Sequence, residues 1–142
     1  NEHKWFKEAL SNPNSKYRNY YIFEKGKNGK VPNNWQSAFS GTCWEKVPNE
    51  DDMYYMHLYT KEQPDLNYKN EEVIKEVENI LEFYLKKGVY GFRCDVINQI
   101  YKTSLKNGKF RLFGRGKEYY ESQPMNHVIL KRLQDNRFEL FR

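Results

Sequence analysis

Between Asn70 and Asn98 the chain spells out a capped helix, a glycine turn and a strand, and no other stretch offers that strand a partner of the same kind. Asn70 is a good helix N-cap, and Glu71 and Glu72 follow in the first turn, where the helix dipole favours negative charge. Val73, Val77, Ile80, Leu81 and Tyr84 recur at helical spacing, supported by Ile74 and Leu85. Lys86 and Lys87 fill the last turn, and Gly88 follows as a residue free to turn left-handed. Val89 to Val96 then reads as a buried strand, which makes the unit half of a βαβ repeat. One strand makes no sheet. The expected fold class is therefore α/β, as a piece of a barrel or of a doubly wound parallel sheet.

The flanking segments are less regular. Residues 2–10 suit a short helix with Trp5, Phe6, Ala9 and Leu10 along one side, stopped by the polar run Ser11 to Ser15 around Pro13. From Lys16 to Gln63 no long period appears. Tyr20 to Phe23 and Tyr54 to Tyr59 are strand candidates, and Gly26 to Asn34 reads as a loop. Asn98 to Tyr120 reads as a long, polar, basic loop with Gly108, Gly114 and Gly116. A last helix is expected from Gln123-Pro124, with Met125, Val128, Ile129 and Leu133 on one side.

Composition agrees with an irregular chain or a part of something larger. Only 38% of the 142 residues are hydrophobic and mean hydropathy is -1.03, while aromatics reach 17% with twelve Tyr. Much of any core would carry phenolic hydroxyls that need partners. Net charge is +5 and the pI about 9.1. Lys and Arg are interspersed with Asp and Glu, however, so a solvated basic surface is expected and no nucleic-acid partner. Cys43 and Cys94 make no disulfide framework, which favours a reducing, cytoplasmic setting. No apolar run approaches the ~20 residues of a membrane span. The chain begins at Asn1 without methionine, so a native start upstream is expected. His3, His57 and His127 are too scattered for a metal site, and none is expected.

The chemistry centres on Arg93 and Asp95. Two residues apart on a strand, they share a face, while Phe92, Cys94 and Val96 take the other. Cys94 is accordingly expected as a small buried apolar residue. A guanidinium beside a carboxylate keeps it ionised, and an oriented carboxylate can act as a nucleophile. A structural ion pair would look the same in sequence.

The surrounding motifs resemble the α-amylase superfamily of glycoside hydrolases, in its oligo-1,6-glucosidase and α-glucosidase branch. Gly91-Phe92-Arg93-Cys94-Asp95-Val96-Ile97-Asn98 resembles the fourth-strand motif, with Cys94 where Met or Leu is usual. Gln63-Pro64-Asp65-Leu66-Asn67-Tyr68 resembles Q-P-D-L-N-W. Asn1 to Phe6 is similar to the segment after the third strand, and Tyr54 to Leu58 to a Y-Y-L-H-L run. Pro32-Asn33-Asn34-Trp35, with Phe39, Gly41 and Trp44, resembles a run of the small inserted domain B. Tyr119 to Pro124 resembles the approach to the fourth helix.

The resemblance implies a fragment of a (β/α)8 TIM barrel, from the end of the strand 3 loop through helix 4. Residues 1–69 would be that loop with its domain B insert. Residues 70–142 would hold helix 3, strand 4, a long loop and helix 4. It implies a retaining α-glucosidase acting on oligosaccharides, with Asp95 as nucleophile and Arg93 orienting and charging it. Val96 goes with α-1,6 linkages in this branch, and Phe39 would wall the sugar site. Trp35 and Trp44 read equally as core of the insert, and Asp65 and Asn67 as loop braces. The general acid would lie on the fifth strand, beyond Arg142. Glu118, Glu121 and Glu139 have no reason to face Asp95. No cofactor is implied in this chain, and the branch's divalent-ion loop belongs to a part of the barrel outside it. The remainder of the barrel is the implied partner, so the isolated chain is expected to be inactive and to self-associate. Trehalose-6-phosphate hydrolase and a non-catalytic carbohydrate-binding module stand as alternatives.

Overall fold

The computed structural model describes residues 1–138, with side chains described through residue 135. Helix α1, Lys4–Ser11, starts where His3 Nδ1 accepts the backbone N–H of Trp5. Its expected stripe turns inward: Phe6 and Ala9 are buried, and Trp5 and Leu10 pack beside them. A 3-10 turn follows at Lys16–Tyr20, capped by Ser15. The tyrosine run thus bends before its strand, which starts at Phe23.

Three short strands make an antiparallel sheet in the order β1-β3-β2, where β1 is Phe23–Lys25, β2 is Trp44–Lys46 and β3 is Met53–Met56. The middle strand explains why two cores exist. Successive side chains of a strand point to opposite faces. Met53 and Tyr55 face a cluster built on Phe6, Ala9, Tyr20, Tyr21, Val47 and Val73. Tyr54 and Met56 face a second cluster of Trp35, Cys43, Trp44, Leu58 and Tyr120. Register follows: Phe23 pairs with Tyr55 over the first cluster, and Trp44 with Met56 over the second. An aromatic-rich, leucine-poor sequence makes its interior from rings stacked edge to face, as Phe6 does with Tyr21 at 4.9 Å and Tyr55 at 5.0 Å.

Helix α2, Glu71–Lys86, forms as its caps dictate. Asn70 accepts the N–H of Glu72 at 3.0 Å, and Gly88 leaves the helix with φ +89°. Only Val73 and Ile74 of its stripe are buried; Ile80, Phe83 and Tyr84 are exposed.

Residues 89–96 correct the sequence expectation. No ladder forms there among the described residues, Tyr90 is 99% exposed, and Cys94 is exposed instead of buried. A parallel strand takes its geometry and its burial from flanking strands. The only sheet among the described residues is antiparallel and lies at residues 23–56.

The segment expected as one long loop contains a 3-10 turn, Ile97–Gln99, and a single turn of helix α3, Lys117–Tyr120. Helix α4, Pro124–Phe138, begins at its proline. It buries Ile129 as expected, but also Asn126, while Val128 is 56% exposed. Asn126 is inside because it serves the preceding turn: its amide donates to Asn98 O and its oxygen accepts the Tyr101 N–H at 3.0 Å. Arg132 joins α4 to α2, bonding Glu71 at 2.6 Å and Glu78 at 2.7 Å.

Candidate active site

Asp95 borders a hollow of about 220 Å³, in company with Tyr59, Asp65, Val96, Gln99 and Lys102. The backbone turns sharply just after it. Val96 sits at φ 51°, ψ 28°, the left-handed region, which a β-branched side chain resists by about 1–3 kcal/mol. The turn then closes with Gln99 N–H on Val96 O at 3.0 Å. Arg93 and Asp95 are both exposed, and no ion pair joins them among the described residues. The flanking strands that would fix a common face for them are absent among the described residues.

A buried ion pair braces the hollow instead. The Lys102 side chain is 4% exposed, and its ammonium meets Asp65 Oδ1 and Gln99 O. Asp65 Oδ2 accepts the Leu58 N–H at 2.7 Å. Asp65 thus braces the loop, as expected, and so does Asn67, whose side chain donates to Asn19 O and accepts from Lys69 N–H. Lys102 escaped sequence reading, because a lone lysine 37 residues from its partner carries no local signal.

Tyr59 joins this hollow to a second one. Its hydroxyl donates to Gln99 Oε1 at 3.0 Å. Burial raises the phenol above its ordinary range, and the carboxylates of Asp65, Asp95 and Glu121 raise it further, so Tyr59 stays neutral. On its other side lies a hollow of about 470 Å³, bordered by Gln36, Ser37, Phe39, Phe113 and Lys117. Phe39 is 69% exposed and meets the Tyr59 ring edge-on at 6.1 Å. Both hollows share Leu58, Tyr59 and Gln99. Trp35 and Trp44 are core residues, 1% and 2% exposed.

The remaining candidates stand apart. His3 caps α1, His57 is buried with Nδ1 3.2 Å from Tyr59 O, and His127 is exposed. Among the described residues no three metal-ligating side chains converge. Glu118 accepts the Lys109 N–H, which holds its carboxyl below the usual range. Glu121 pairs with Lys117 at 3.5 Å. Glu139 lies outside the described residues. No described helix is long and apolar enough to cross a membrane.

Comparison with known proteins gives these positions a context. The alpha-amylase catalytic-domain family model matches residues 1–140. An oligo-1,6-glucosidase of Parageobacillus thermoglucosidasius is 45% identical over 139 residues, covering 93% of this chain and 24% of that protein. A trehalose-6-phosphate hydrolase of Bacillus subtilis (strain 168) is 42% identical over 139 residues, covering 96% and 24%. The crystal structure of Bacillus licheniformis trehalose-6-phosphate hydrolase superposes with a TM-score of 0.87 at 41% identity, over 95% of this chain and 24% of that one. The chain thus spans about a quarter of the length of these relatives.

Proposed function

This chain belongs to the alpha-amylase family, as an α/β segment of its (β/α)8 catalytic barrel, and from that premise we propose that it carries the nucleophile of a retaining α-glucosidase. In this reading residues 1–69 are the loop after the third barrel strand with its small insert. Residues 70–142 run from the third helix through the fourth, and Asp95 ends the fourth strand. The observation that carries it is the shared wall: Asp95 borders one hollow, Phe39 the next, and Tyr59 with Gln99 stands between them.

The chemistry follows from the groups. Asp95 attacks the anomeric carbon of a glucosyl unit, and Arg93, once the strand is paired, holds the carboxylate ionised and aimed. Val96 sits beside the reacting centre and Phe39 walls the sugar. A retaining mechanism needs a second carboxyl ~5–5.5 Å away to protonate the leaving oxygen. Asp65, the other carboxylate on this hollow, has both oxygens engaged, by Lys102 and by the Leu58 N–H, and is no donor. The acid is therefore assigned outside this chain, and the chain alone is expected to turn over nothing. The relatives named oligo-1,6-glucosidase, with Val96 in place, favour α-1,6 bonds. With two cysteines and no disulfide, the protein fits the cytoplasm.

In the full-length protein Asp95→Asn is expected to lower kcat on isomaltose by about 10⁴-fold or more. Retained turnover would remove Asp95 from the role. The trehalose-6-phosphate hydrolase relative motivates a parallel assay on phosphorylated and plain trehalose. Preference for the phosphorylated sugar over isomaltose would move the substrate, and leave the nucleophile unchanged.

A further inference from the structure

We propose that the loop at residues 105–116 is a second saccharide-binding wall, in which Phe113 faces Phe39 across the larger hollow, and that Asn34 is the positioning residue that holds it there. The inference rests on the α-glucosidase reading and names what receives the leaving part of the substrate.

Three apolar side chains of this loop stand in solvent: Phe110 is 84% exposed, Leu112 73% and Phe113 82%. Such exposure is ordinary on a loose tip, but this loop is tied down. Asn34 bonds Gly108 in both directions, its amide nitrogen donating to Gly108 O at 3.0 Å and its amide oxygen accepting the Gly108 N–H at 2.7 Å. Asn33 donates to Leu105 O at 3.1 Å, and the Trp35 indole to Lys106 O at 2.8 Å. Gln36 and Arg115 exchange two further bonds, both 3.3 Å.

Glycine makes this closeness possible. A Cβ on Gly116, which has φ +95°, would fall 2.4 Å from the Trp35 ring, and one on Gly108 would fall 2.3 Å from Gly116 N. The loop is therefore pressed onto the insert, and its rings are held where they are.

Of those rings, Phe110 lies under the Arg115 guanidinium at 5.3 Å, whereas Phe113 borders the hollow and has no ring or cation stacked on it among the described residues. The hollow, about 470 Å³, falls within the ~300–1,000 Å³ of small-molecule sites. Its walls combine the rings of Phe39 and Phe113, and those of Tyr59 and Tyr120, with amides and hydroxyls from Gln36, Ser37, Tyr59 and Gln99. That combination suits a pyranose, which has an apolar C–H face to lie on a ring and hydroxyls at its edge to bond amides. A saccharide with one unit against Asp95 crosses the Tyr59–Gln99 wall and places its next unit between Phe39 and Phe113.

The test is equilibrium binding of isomaltotriose, by calorimetry, to full-length protein in the Asp95→Asn background, with turnover assayed separately. Phe113→Ala is expected to raise Kd about tenfold, and Phe113→Tyr to stay within about twofold of the parent. Asn34→Ala is expected to raise Kd about as much and to speed trypsin cleavage after Lys109 and Arg111. Where Asn34→Ala does not fold, Asn34→Asp keeps the bond from Gly108 N–H, loses the bond to Gly108 O, and is read the same way. An unchanged Kd in Phe113→Ala, or no binding by the parent, overturns the wall. Faster cleavage with unchanged Kd overturns Asn34 as a positioning residue. Neither result depends on turnover, so the wall and the nucleophile stand or fall apart.

Discussion

Lys102 carries its charge into a place where its side chain is 4% exposed, and Asp65, itself 15% exposed, makes that tolerable. Removing one partner strands the other. Lys102→Met is expected to cost about 3–5 kcal/mol in urea unfolding. Lys102→Met combined with Asp65→Asn is expected to cost distinctly less, since the amide oxygen that replaces the carboxylate would still accept the Leu58 N–H. Equal losses in both variants would show that charge pairing is not what holds the hollow. Tyrosine gives the pH dependence at this scale. Burial pushes the phenols of Tyr21, Tyr55 and Tyr120 up to about 12 from an ordinary 10.0. Between those values the unfolded chain loses these protons and the folded chain keeps them. Stability is then complete below pH 10 and falls as pH rises through about 12. Melting temperature and tyrosinate absorbance followed together across that window check it; ionisation of all tyrosines near pH 10 without loss of stability would contradict it. These residue-level facts were unequally legible. Aromatic content alone forecast a tyrosine core. The Lys102–Asp65 pair was invisible, because its energy comes from tertiary burial rather than from either residue's neighbours.

At the scale of elements, what the sequence could tell was what short-range chemistry decides. Helix α2 starts at Asn70 and exits at Gly88 for reasons written within four residues of each end. Asn70→Ala is expected to lower stability by about 1 kcal/mol, and somewhat more because the same amide also donates to Asn19 O at 3.1 Å. Thermal melting of the variant measures it, and an unchanged midpoint would deny the cap its role. The stripe of α1 was legible for the same reason. Residues 89–96 were not, since an extended run becomes a strand only against neighbours, and among the described residues no ladder forms there and no ion pair joins Arg93 to Asp95. The path of residues 105–116 was equally hidden: its bonds go to Asn33, Asn34, Trp35 and Gln36, and nothing in a glycine-rich loop announces a distant anchor.

On the scale of the whole molecule, apolar surface is left bare. Ile80, Phe83 and Tyr84 on α2, Tyr90 after it, and Phe110 and Phe113 on the anchored loop are all exposed. Contiguous apolar exposure drives association. Sedimentation velocity on the isolated chain is expected to show oligomers that grow with concentration, and a stable monomer throughout would mean these faces are too scattered to act together. The anchored loop has a consequence of another kind, in time. Its bonds to the insert join residues 71 to 79 positions apart. Contacts that distant demand that a long stretch of chain be gathered before any of them is rewarded, and they slow folding accordingly. The first core can form from residues 6 to 73, whereas the second core and the 105–116 loop must both wait for the chain to return as far as Tyr120. During synthesis that loop would settle only after the first core has gathered.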